Sequence, residues 1–163
     1  MAGVRFFADL ALRPHEEMDR ASAERAGAYA AAVFDEQGRA ESAAMMADGE
    51  IDQVRWYGDH PSEALHARHV SRYGAVEYTA CRGEPSPDAA GFMQTIWEVS
   101  AHGDVRARDV FRFVGQEDET VLEAWRYGPD DEPVSHFVYE NGRPVRGVEY
   151  DVDGTIFRSI EEE

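Results

Sequence analysis

Short apolar segments alternate along this chain with glycine-bearing turns, at Gln37-Gly38, Asp48-Gly49, His102-Gly103-Asp104, Asn141-Gly142 and Asp153-Gly154. A two-residue hairpin turn needs positive φ at its central residues, which Gly and Asn adopt at little steric cost. A chain punctuated in this way folds as an antiparallel meander. The expected architecture is α+β, a curved antiparallel sheet of about eight to ten strands closing partly into a barrel, with one or two short helices over an end.

The chain has 163 residues, of which 43% are hydrophobic and 11% aromatic. That is enough apolar surface to offset the entropy of ordering, so residues 1–163 are expected to form a single globular domain. Val4 to Leu12 alternates as a first strand with Phe6, Ala8, Leu10 and Leu12 on one side. Pro14 suits a first helical turn, and a helix is expected from there to Ala26, stopped by Gly27. A second helix is expected within Asp59 to Tyr73, with Asp59 as a cap and Leu65 and Val70 as its apolar anchors. Glu84-Pro85-Ser86-Pro87-Asp88-Ala89-Ala90-Gly91 reads as an exposed loop, because two prolines and a glycine do not fit a central ladder.

Phe34-Asp35-Glu36-Gln37-Gly38-Arg39 followed by Asp48-Gly49-Glu50-Ile51 has an echo in Tyr139-Glu140-Asn141-Gly142-Arg143 followed by Asp153-Gly154-Thr155-Ile156. Trp56-Tyr57-Gly58-Asp59 is echoed by Trp125-Arg126-Tyr127-Gly128-Pro129-Asp130. Repeated hairpin grammar accounts for these echoes better than duplication.

The formal charge is −17, from 33 acidic and 16 basic residues, and every basic residue is arginine. This imbalance repels phosphate backbones and anionic lipid, so neither nucleic acid nor a membrane is expected as partner. Three origins of the acidity stay open: codon bias with ordinary solubility, adaptation to high salt, or a surface that steers a basic protein or imitates DNA. Cys81 is the only cysteine, which rules out an intrachain disulfide and fits a reducing, cytoplasmic location. Asp9 interrupts the apolar start of the chain and no small-residue cleavage site follows, so a signal peptide is not expected. No stretch approaches the roughly 20 apolar residues of a membrane helix.

The two strands Phe92 to Ala101 and Val105 to Val114 carry the candidate chemistry. A tight turn at His102-Gly103-Asp104 would place Trp97 and Val99 on one face with Ala107, Asp109, Phe111 and Phe113, and the meander would add Val121, Glu123, Trp125 and Tyr127. Trp97, Asp109, Glu123, Trp125 and Tyr127 are therefore the candidate ligand-binding residues. Burial raises a carboxyl pKa and can make such a group an acid, a base or an orienting contact. The opposite face would hold Glu98 with Arg106, Arg108, Arg112 and Arg126, and Glu98 would oppose Arg108. Those four arginines are the candidate anion-binding set, although in so acidic a chain a charge-paired surface is the expected outcome.

His60, Glu63, His66 and His69 fall on the second helix, but their spacing matches no metal signature, so no metal and no cofactor are expected. No phosphate-binding glycine loop and no G-x-S-x-G elbow is present, which disfavours nucleotide-dependent and common hydrolase chemistry. Two functions stand. One is a small acidic cytosolic protein-binding module, of bacterial immunity or antitoxin type, masking a basic partner. The alternative is a small-ligand-binding and even catalytic sheet or barrel that uses the aromatic face and its carboxylates.

Overall fold

The computed structural model describes residues 2–86 and 91–161. In chain order the strands are β1 (Gly3–Phe7), β2 (Glu17–Met18), β3 (Ala28–Phe34), β4 (Ala40–Ala47), β5 (Glu50–Tyr57), β6 (Tyr78–Pro85), β7 (Phe92–Val99), β8 (Val105–Phe113), β9 (Val121–Tyr127), β10 (Pro133–Glu140), β11 (Arg143–Tyr150) and β12 (Ile156–Glu161). Helix α1 (Arg20–Ala26) precedes β3, and α2 (Glu63–Tyr73) links β5 to β6. All twelve strands join one sheet, ordered β12-β11-β10-β9-β8-β7-β6-β5-β4-β3-β1-β2. The sheet is antiparallel except where β5 meets β6 through three residue pairs. It is larger than the eight to ten strands expected, and it is open, with β12 and β2 as its edges rather than a closing barrel seam.

Four turns share one geometry. In residues 35–39, 100–104, 128–132 and 151–155 the first N–H donates to the fifth carbonyl and the fourth N–H donates back to the first carbonyl. The fourth position has positive φ each time, at Gly38, Gly103, Asp131 and Gly154. This is the three-residue hairpin loop, a type I turn followed by a left-handed residue. Asp48-Gly49 and Asn141-Gly142 instead close with both residues at positive φ, the two-residue form.

A β-bulge follows the turn in seven of the eight hairpins. Phe34 pairs with Ala40 while Val33 pairs with Ser42, which leaves Glu41 unopposed. The same displacement leaves Asp52, Arg106, Leu122, Val134, Val145 and Phe157 unopposed in their strands. Among the described residues of these hairpins, only β6–β7 runs without one. Each bulge bends its strand and increases local twist, so curvature is built in at nearly every turn. The echoed segments are the meanders β3–β4–β5 and β10–β11–β12, but their long and short turns occur in opposite order, as repeated hairpin grammar produces.

Two small cores lie on opposite faces of the first half of the sheet. On one, the helix face, Leu65 of α2 packs on Ala44, Val54, Trp56, Tyr78, Ala80 and Val99. On the other, the loop face, Leu10 packs on Phe7, Ala30, Ala32, Phe34 and Ala43. The first strand ends at Phe7, short of the expected Leu12, because the Asp9 carboxylate accepts from the Ala11 N–H at 2.8 Å and turns the chain across the loop face. Tyr57 secures that segment by donating its hydroxyl to the Leu10 carbonyl at 2.6 Å.

The helix expected from Pro14 to Ala26 is divided into a 3-10 turn (Pro14–Glu16), β2 and α1. Asp19 restarts it by accepting from the Ser22 N–H at 2.7 Å, and Gly27 ends it in the left-handed region. In α2 the cap is Ser62 rather than Asp59, which instead lies 3.4 Å from Arg68. The anchors are Leu65 and His69; Val70 is 40% exposed. The expected loop at Glu84 to Gly91 begins later than its first residues, since Glu84 and Pro85 belong to β6, and Pro87, Asp88, Ala89 and Ala90 lie outside the described residues.

Candidate functional site

Strand register decides which candidate residues meet. Val99 pairs with Val105, but the bulge at Arg106 makes Glu98 pair with Ala107 and Trp97 with Arg108. That one extra residue carries Asp109, Phe111 and Phe113 to the face opposite Trp97, and Ile96, not Trp97, opposes Asp109. The expectation that Asp109 shares the face of Trp97 and Trp125 is therefore corrected. Glu123, Trp125 and Tyr127 do share the helix face with Trp97.

The helix face of β7–β11 is a set of cross-strand rows. Trp97, Arg108 and Tyr127 form one, with the Arg108 guanidinium 4.3 Å from the Tyr127 ring centroid and 3.3 Å from Asp131. Arg108 Nε is buried and has no hydrogen-bond partner among the described residues. In the next row the His136 ring lies parallel to Trp125 at 5.0 Å. Glu123 joins this row to the one beyond it: His136 Nε2 lies 2.9 Å from one carboxylate oxygen and Arg112 donates to the other. Burial pushes the Glu123 carboxyl pKa up, but hydrogen bonds from His136 and Arg112 outweigh it and leave the group below its ordinary value.

The loop face has its own pattern. Phe111, Ala124, Phe137, Gly147 and Ile160 oppose one another in turn across β8–β12, an apolar row five strands wide. A Cβ at Gly147 would run into the Phe137 ring, so the absence of a side chain there is what lets the ring lie flat. Beside this row stand Asp109, Arg126, Ser135, Glu149 and Arg158. Arg126 is shared by Asp109 at 2.8 Å and Glu98 at 3.2 Å. Desolvation, with Glu98 adding its repulsion, raises the Asp109 carboxyl pKa even against Arg126.

The four candidate arginines do not converge. Arg106 is a bulge residue 2.6 Å from Glu77, Arg108 and Arg112 lie on the helix face, and Arg126 lies on the loop face. Each has a carboxylate within salt-bridge distance, and Glu98, expected opposite Arg108, is bound by Arg126. The histidines of α2 make no metal cluster among the described residues. His69 is fully buried, accepts from the Trp56 indole at 3.1 Å through Nδ1 and meets the Val76 carbonyl at 2.8 Å through Nε2. The indole can only donate, so His69 is neutral with its proton on Nε2. Cys81 is buried, and burial pushes its thiol pKa up.

No protein-family model, curated protein or solved structure matches this chain. Any functional reading rests on the geometry.

Three residues escaped the sequence reading. His136 and Phe137 sit in a strand that carried no motif, and only the register brings them to Glu123 and to Gly147. Arg55 sits between Val54 and Trp56, where its strand suggests nothing but core. The available signal was that its same-face neighbours on β5, Gln53 and Tyr57, offer no carboxylate.

Proposed function

We propose that this protein is a protein-binding module that receives a basic partner on the loop face of β8–β12, as an immunity or antitoxin-type protein would. The observation that carries this reading is Asp109. Two carboxylates, Asp109 and Glu98, share the single guanidinium of Arg126, and desolvation of Asp109, with Glu98 adding its repulsion, raises the Asp109 pKa despite that arginine. A lysine or arginine from a partner supplies the missing cation. The apolar row of Phe111, Phe137 and Ile160 lies beside it, and an aromatic centre edged by charge is the usual anatomy of a protein interface.

Two further features support the reading. No side chain beyond Ala107 is fully buried among the described residues, so this half of the sheet keeps its aromatics half-exposed on both faces. Residues 91–161 carry fifteen carboxylates against seven arginines, many of them in turns such as Glu117-Asp118-Glu119 and Asp130-Asp131-Glu132. Such a rim attracts a basic protein during diffusional approach.

The test is native mass spectrometry of the protein isolated from its own host at low salt, followed by association kinetics with whatever protein accompanies it. The expected result is a stoichiometric basic partner whose association rate falls about tenfold or more between 50 and 500 mM salt. Asp109→Asn and Phe137→Ala should weaken the complex, and Trp125→Ala on the other face should not. A bare protein, or a partner indifferent to salt and to Asp109, overturns the proposal.

A further inference from the structure

Among the described residues, Arg55 is the one half-buried guanidinium with no carboxylate within 4.0 Å. Of the sixteen arginines, ten lie within 4.0 Å of a carboxylate. Five more, Arg20, Arg25, Arg82, Arg143 and Arg146, are exposed. Arg55 is half-buried and makes one hydrogen bond among the described residues, from Nε to the Thr79 hydroxyl at 3.4 Å. In a chain with 33 carboxylates, an inward-facing arginine left unpaired is costly unless something else supplies the anion.

The guanidinium lines a cleft of about 440 Å³ on the loop face, at the ends of β5–β8 where the chain crosses from Leu10 to Arg13. Leu10, Phe92 and Phe113 give the cleft an apolar lining, and Arg55, Tyr57 and Gln94 give it polar contacts. An ion pair between Arg13 and Glu119, at 3.2 Å, ties its two walls together. The field of Arg55 reaches the other polar groups: burial pushes the Tyr57 and Cys81 pKa values up, and Arg55 pulls both back.

The available hydrogen-bonding groups narrow the ligand class. Arg13 is already surrounded by Asp9, Glu16 and Glu119. Tyr57 spends its proton on the Leu10 carbonyl. That leaves the terminal nitrogens of Arg55, with the Gln94 amide as a neutral donor that makes no hydrogen bond among the described residues. One unmatched positive charge suits one negative charge, and a planar fork suits a carboxylate. A phosphate dianion would call for a second cation. The volume falls in the range of small-molecule sites.

We propose that this cleft binds a small carboxylate with an apolar body, its carboxylate on Arg55 and its hydrocarbon or aromatic portion against Phe92 and Phe113. The cleft adjoins the docking face at β8, where Phe113 stacks on Phe111, but uses neither the Asp109–Glu98–Arg126 cluster nor the Phe111–Phe137–Ile160 row, so neither proposal depends on the other.

The test is a ligand-observed NMR titration of the whole protein with benzoate, 2-naphthoate, indole-3-acetate and octanoate, each beside its primary amide. At least one acid should bind with a Kd below about 1 mM and about tenfold more tightly than its amide, the usual scale for a charge-assisted hydrogen bond. Arg55→Gln should abolish the preference for acid over amide, and Phe113→Ala should weaken acid and amide alike. Equal affinities for acid and amide, or no binding by any of the four acids at 5 mM, overturns the proposal without recourse to a variant. A preference that survives Arg55→Gln overturns it as well.

Discussion

Asp109 and Glu123 are both carboxylates beside an arginine on a half-buried sheet, yet their surroundings push them in opposite directions. Glu123 receives hydrogen bonds from two residues, Arg112 and His136, and is held ionised; Asp109 is desolvated, repelled by Glu98 and shares its arginine. A charged group whose pKa is raised on folding is worth less in the folded state than in water, so at neutral pH Asp109→Asn should leave the melting temperature unchanged or raise it slightly. Glu123→Gln should cost about 1 kcal/mol, because Arg112 and His136 lose a charged acceptor. Paired thermal melts of the two variants at pH 7 check both signs. His69 supplies a third case. Burial holds its pKa below the ordinary 6.5, so the unfolded chain takes up the proton first. Stability is therefore complete above that value and falls as the pH drops through it, and His69→Gln should remove that portion of the loss in melts between pH 8 and pH 5.

Among the elements, the turns were the most legible feature of the sequence. Gly38, Gly49, Gly103, Gly142 and Gly154 all hold the positive φ their turns demand, and the chemistry of that requirement is local. The turn at 128–132 was legible only as an echo, because Asp131 occupies its left-handed position at φ 59. Asp131→Gly should relieve about 1 kcal/mol of that backbone cost and give part of it back by leaving the half-buried Arg108 guanidinium without its carboxylate, for a net stabilisation smaller than that. A denaturant midpoint compared with that of the unmodified chain measures this. The bulges were not legible. Glu41, Arg106 and Phe157 have nothing in common as residue types, and what sets their position is pairing with a strand the sequence does not identify. Missing the bulge at Arg106 reverses the face of every later residue of β8, which misplaces Asp109, and the second bulge at Leu122 reverses the alternation again, which is why Trp97 and Trp125 were placed correctly together. His69 was obscured for a related reason. A histidine at a core position of α2 looks like solvated polarity until Trp56, seven residues before the helix, is seen to donate to it.

The whole molecule joins a cored half to an uncored one. Both buried clusters lie within residues 7–99, and β9–β12 are held by cross-strand rows of aromatic contacts and ion pairs on a single layer. Pairs of that kind contribute a few tenths to one kcal/mol each, so the second half should open more readily than the first. Amide hydrogen exchange should show β10–β12 at least about tenfold less protected than β3–β6, a gap that a bound partner on the loop face would narrow. The seven bulges bear on how such a sheet can change over evolutionary time. Removing Val134 would let Ser135 keep Arg126 as its partner and Pro133 keep Tyr127, so no side chain would change sides and only the bend would relax. Each bulge is thus a unit of slack. Single-residue deletions at these points adjust the arc of the sheet while its cores, rows and ion pairs stay in place, and curvature becomes a trait that can vary independently of everything the side chains specify.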